Sequence, residues 1–139
     1  LTVTAADGSS NDYTWNEGDA VPSIPLAANS TSNVSVHFYD ASDASDVEDI
    51  TEEVIEEADE HFVFFQVSGA SVSISSASND VVDADGVSIN LKTEWAAAGA
   101  SSGTVRVSLI HEPTSKTGAT RGELGGSTDV ELDFPVTIQ

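Results

Sequence analysis

Asp49-Ile-Thr-Glu-Glu-Val-Ile-Glu-Glu-Ala-Asp-Glu-His61-Phe-Val-Phe-Phe-Gln-Val67 is the stretch on which the fold turns. Its first part has helical spacing. Ile50, Val54 and Ala58 form an i, i+4 stripe with Ile55 beside it, and Asp49 and Glu52 stand in capping-box positions. Glu56, Glu57, Asp59 and Glu60 crowd the end of the helix dipole that disfavours negative charge. The reading is one short acidic helix over about 50–59, dependent on docking its apolar side onto a sheet. The second part has strand spacing. His61, Val63, Phe65 and Val67 share one face, and Phe62, Phe64 and Gln66 share the other. Large apolar groups on both faces predict a strand covered twice, by an opposite sheet and by the helix.

The sequence on either side alternates with the period of half-buried strands. Leu1, Val3 and Ala5 make a first face, and Tyr13 and Trp15 return after a turn as its hairpin partner. Pro22 and Pro25 hold an extended connection. Val34, Val36 and Phe38 face inward before an Asp/Ser/Ala loop over Asp40–Asp46. Beyond Val67, inward faces recur at Val72 and Ile74, at Val87 through Trp95, at Val105 through His111, and at Val130 through Ile138. The stretch Thr114–Thr128 is a Gly/Ser/Thr loop, and Pro135 marks an edge or a bulge. Tyr13, Trp15 and Trp95 are read as core. With no βαβ alternation, the expected class is all-β: an immunoglobulin-like antiparallel β-sandwich of about 7–8 strands with one inserted helix. A single domain over 1–139 fits the length.

Charge narrows the partners. Twenty-four carboxylates face only Lys92, Arg106, Lys116 and Arg121, for a formal net charge of -20. Such a surface repels phosphate backbones and anionic bilayers, so nucleic acid is excluded as a partner. Two readings of the acidity stay open: adaptation to salty surroundings, in which stability rises with added salt, or a cation-collecting surface. The chain has no cysteine, which removes disulfide and thiolate chemistry. It begins at Leu1 without a methionine, as a processed or trimmed product would, and has no apolar run long enough to span a bilayer.

Catalysis is not expected. No serine sits in a nucleophile elbow, no glycine-rich phosphate loop occurs, and the carboxylates of the acidic run lie together on one solvated element. Asp80, Asp83 and Asp85 before Gly86 fail the calcium-loop pattern at Val81 and Lys92, and Asp85-Gly86 between strands reads as a hairpin turn. The remaining constellation is His61, His111 and Glu112. Each histidine ends an inward strand face, so an antiparallel pairing of the two strands brings them to one rim beside Glu112. Two imidazoles and a carboxylate form a donor set that zinc or copper accepts. The plainer alternative is that each histidine bonds a backbone carbonyl or meets solvent.

The blocks Glu48-Asp-Ile-Thr-Glu-Glu-Val-Ile-Glu-Glu-Ala-Asp-Glu-His-Phe-Val-Phe-Phe65, Leu109-Ile-His-Glu-Pro113 and Gly125-Gly-Ser-Thr-Asp-Val-Glu-Leu-Asp-Phe134, with Leu26-Ala-Ala-Asn-Ser-Thr31 and the terminal Val-Thr-Ile-Gln139, resemble a family of small lipoproteins of Bacteroidota and related bacteria. The resemblance covers most of the chain. It implies an exported outer-membrane lipoprotein, periplasmic or surface-facing, tethered through a lipidated cysteine upstream of Leu1 and often encoded beside TonB-dependent receptors. Two expectations follow. The first is a non-enzymatic envelope binding protein that captures a ligand or metal for such a receptor, through His61, His111 and Glu112. The second is a structural or adhesive module that assembles, by self-association or otherwise, through sheet edges and loops.

Overall fold

A computed structural model of the chain describes residues 1–43 and 45–139; Ala44, inside the loop expected over Asp40–Asp46, lies outside them. Among the described residues, eleven strands and two helices follow in chain order: β1 (Thr2–Thr4), β2 (Ser10–Asp12), β3 (Ile24–Leu26), β4 (Ser30–Ser35), β5 (Tyr39–Asp40), β6 (Glu48–Asp49), α1 (Thr51–Glu56), β7 (His61–Ser68), β8 (Val72–Ser76), β9 (Lys92–Ala97), β10 (Ser101–His111), α2 (Arg121–Leu124) and β11 (Ser127–Ile138). One sheet runs β2-β1-β4-β9-β8, the other β3-β11-β10-β7, and β5-β6 form a separate ribbon. The chain is an all-β sandwich.

Alternation explains the layers. Lys92–Ala97 is exposed and buried by turns, so Thr93, Trp95 and Ala97 point to the facing sheet while Lys92, Glu94 and Ala96 meet solvent. Val105, Val107 and Leu109 do the same from β10. The faces meet where Phe65 of β7 packs edge-on against Trp95 of β9, ring centroids 5.9 Å apart. Trp95 is fully buried, with its indole N–H donated to Thr93 Oγ1 at 3.0 Å. Each fully buried side chain of this size contributes roughly 1.5–3 kcal/mol of transfer free energy. At one edge β7 is also tied by backbone to the segment that leads into β9, because Val63 N–H donates to the Ile89 carbonyl at 2.9 Å.

Several expectations are corrected. Ile24–Leu26, read as a proline-held connection, is a strand, and it pairs parallel with Val136–Ile138 at the sheet edge. Pro25 is exposed there, consistent with its missing donor. The helix over about 50–59 shortens to Thr51–Glu56. Asp49 accepts the Thr51 N–H at 2.9 Å but does not cap, since Ile50 takes the cap position. The stripe survives in Val54 and Ala58, which join the main core, whereas Ile55 is exposed.

Strand β7 is covered on both faces, but not as foreseen. It lies at the edge of its sheet, and α1 joins the core on the Val63 side. Phe62 and Phe64, on the opposite face, pack with Ile110 and with Leu124 of α2. That second helix stands in the stretch read as loop. Glu123 accepts the Ala119 and Thr120 N–H groups at 2.8 and 3.0 Å and so closes its start.

Candidate functional site

The rim expected from the strand phases exists. His61 and His111 are register partners across the antiparallel β7–β10 pair, and their rings stack 5.0 Å apart at an interplanar angle of 7°. His61 is buried. Its Nδ1 donates to the Glu57 carbonyl at 3.2 Å, and its Nε2 lies 4.0 Å from Asp129 Oδ2. The plainer role therefore holds for His61, which closes the turn after α1.

His111 and Glu112 behave differently. His111 is half-exposed, with Nε2 3.7 Å from Glu60 Oε2. Donor atoms of Glu60, His111 and Glu112 all lie within 4.8 Å of one another. Zinc–nitrogen and zinc–oxygen bonds near 2.0–2.2 Å place tetrahedral ligand atoms about 3.3 Å apart. The carboxylates must close by up to about 1.5 Å, which exposed glutamates do by rotamer change. Two carboxylates and a neutral imidazole also match a divalent charge. The sequence reading named His61 as the third ligand; the convergent trio has Glu60 in its place.

Backbone geometry explains why Glu112 reaches this position. Its φ is +50°, a left-handed conformation rarely taken by residues other than glycine, asparagine or aspartate. Its N–H donates to the Glu60 carbonyl at 2.7 Å, which binds the end of β10 to the turn before β7. Behind it, Gly126 passes so close that a Cβ there would collide with the His111 and Glu112 carbonyls. The left-handed turn and the glycine contact hold the Glu112 backbone beside Glu60.

The other acids flagged in the sequence are committed elsewhere. Asp80 accepts the Asn90 and Lys92 N–H groups, each at 2.7 Å, and Asp83 accepts Val87 N–H at 2.8 Å and Lys116 Nζ at 2.7 Å. They fix the turn that the Asp-Gly pair implied. On the outer face of β10, Arg106 forks onto Asp133 at 2.7 and 2.9 Å. That hydrogen bonding holds the Asp133 carboxyl below its ordinary range and raises Arg106.

A second feature was not foreseen. Between the sheets, on the side where β11 and the chain after β2 face each other, opens a groove of about 1190 Å³. Trp15, read as core, lines its mouth half-buried, with its indole N–H on the Asp19 carbonyl at 2.9 Å. Phe38, Tyr39, Val130 and Leu132 supply apolar wall, and His61 reaches its far end. Its alternation with Tyr13 gave no sign of this, and only the end of β2 at Asp12 places Trp15 outside a strand.

Comparisons with known proteins returned no match for this chain, whether to a family model, a curated protein or a solved structure. The likeness to envelope lipoproteins accordingly rests on the residue blocks quoted above.

Proposed function

We propose that the protein is a non-catalytic binding module of a bacterial envelope surface that captures a divalent transition metal, zinc or copper, at Glu60, His111 and Glu112. The observation that supports this is the meeting of one imidazole and two carboxylates at a strained turn, with His61 stacked behind His111. In this reading an upstream lipid anchor tethers the domain to the outer membrane, and a TonB-dependent receptor receives the cargo. The wider acidic surface concentrates cations around the rim without phosphate-bearing partners.

Titration calorimetry and thermal unfolding with zinc and copper test the reading, with magnesium as the control for unspecific attraction to the acidic surface. A site occupied at a hundred times its Kd adds about 2.7 kcal/mol to stability. The expected result is a zinc- or copper-dependent rise in Tm that vanishes in His111→Ala and in Glu112→Gln. An equal rise in wild type and both variants refutes the site. Co-purification of a TonB-dependent receptor from membranes tests the delivery step.

A structural or adhesive role is the second reading, and one observation favours it: among the described residues the outer edge of β11 is bonded only at Val136–Ile138.

A further inference from the structure

Strand β11 is twelve residues long, yet its two neighbours use it unequally. Along its inner side it pairs with β10 from end to end. Along its outer side it pairs with β3 only at Val136–Ile138, and the remaining backbone hydrogen bonds among the described residues place no other partner there. The β10 register passes from Leu109↔Val130 to Ile110↔Thr128, which leaves Asp129 as the bulged residue. The regular free edge is therefore Val130–Pro135. Six residues of strand span about 20 Å.

This edge does not face open solvent like an ordinary sheet margin. It borders the groove of about 1190 Å³, into which Val130, Leu132 and Phe134 project. An exposed edge is usually blunted by lysine or covered by a loop. Here the groove lies beside the edge instead, walled on its far side by Trp15, Phe38 and Tyr39.

Charge identifies the occupant. The acidic and imidazole side chains lining the groove are Asp12, Glu17, Asp40, Glu53, Glu57 and Asp129 together with His37 and His61; Leu1 brings its terminal ammonium, which is bonded to the Tyr13 carbonyl, and neither lysine nor arginine lines it. A second copy of this chain, at net -20, would bring like charge to like charge and is disfavoured.

We propose that the groove binds an extended peptide segment of a partner protein that alternates basic and apolar residues, added as a strand to Val130–Pro135. Main-chain bonds to the free edge give it register, apolar side chains on one face fill the space beside Trp15 and Leu132, and lysine or arginine on the other meets the carboxylate rim. The segment is independent of the metal reading, because the groove does not include Glu60, His111 or Glu112.

The test uses a capped octapeptide alternating lysine and valine, with EDTA present and at the lowest salt that preserves the folded circular-dichroism spectrum. Calorimetry should show one-to-one binding, and hydrogen exchange should slow at Val130–Asp133 in the complex. Glu17→Lys with Asp129→Lys, both at exposed positions, should weaken the peptide about tenfold or more, as should methylation of the peptide's alternate amides. The glutamate–valine counterpart should not bind. No binding by the wild type overturns the proposal. So does binding untouched by the charge reversals, or displacement of the peptide by decylammonium with no exchange protection in either complex.

Discussion

Two charged clusters flank the turn between α1 and β7, and they are built on opposite plans. On one side, Lys116 Nζ donates to Asp83 Oδ2 and to the Ala58 carbonyl, each at 2.7 Å, with both side chains only 9% exposed. Asp83 also accepts from Val87 and Asp85, so both its oxygens are engaged. On the other side, Glu60 and Glu112 approach His111, their donor atoms all within 4.8 Å of one another. Glu60 is 57% exposed, and Glu112 is held by a backbone conformation that glutamate disfavours. The first arrangement closes a loop onto the core. The second gathers like charges at the surface at some cost. The difference separates acids whose charge the fold neutralises from acids it leaves facing one another in solvent.

Breaking the closed cluster should have the largest effect. Lys116→Met removes a charge-assisted hydrogen bond to the Ala58 carbonyl, worth about 2 kcal/mol, and urea unfolding should register at least that loss. A smaller change sharpens the same point through pH. The Lys116 hydrogen bond, followed by that from Val87, holds the Asp83 carboxyl below its ordinary value of 3.8. A carboxyl depressed in the folded state stabilises fully above its unfolded pKa and loses that contribution as pH falls through the folded value. Asp83→Asn should therefore be less stable than wild type at pH 7, and the gap should narrow below about pH 4. A gap that stays constant down to pH 2 would show that the pair is not coupled as described.

The open cluster should respond with the reverse sign. Without metal, Glu112→Gly removes both the like charge and the left-handed strain and should raise stability by up to about 1 kcal/mol. With zinc present, the ranking should invert, because the variant lacks a ligand. A destabilised Glu112→Gly in EDTA would mean that the turn is structural and that the comparison fails.

How much of this was legible depended on local period. Trp95, Val107 and Leu109 announce themselves because each strand alternates strictly over several residues, and a sandwich is the simplest way to bury such faces. Ile24–Leu26 was not legible. Pro22 just before it and Pro25 within it mask the alternation, and its parallel partner at Val136–Ile138 lies far along the chain. The helix at Arg121–Leu124 was within reach, since Thr120 and Glu123 carry capping-box spacing, but four residues give no amphipathic period to read. At the site, strand phase located His61 and His111 at one rim. Exchange of Glu60 for His61 in the donor set arises from the φ of Glu112 and its bond to the Glu60 carbonyl, both set by tertiary packing against Gly126.

The smallest predicted effect separates the two histidines. His61 and His111 are neighbours in register and stacked, so proximity alone would make them joint ligands. Their hydrogen bonds say otherwise: His61 is occupied by the Glu57 carbonyl, whereas His111 Nε2 faces Glu60. His61→Phe keeps a flat ring against His111 and gives up one hydrogen bond at a buried position, a loss of about 1 kcal/mol. Zinc affinity should then change by less than about threefold, well under 1 kcal/mol. His111→Phe, equally flat, should abolish it. If the two substitutions weaken zinc equally, both rings coordinate the metal, and the donor set reverts to His61, His111 and Glu112.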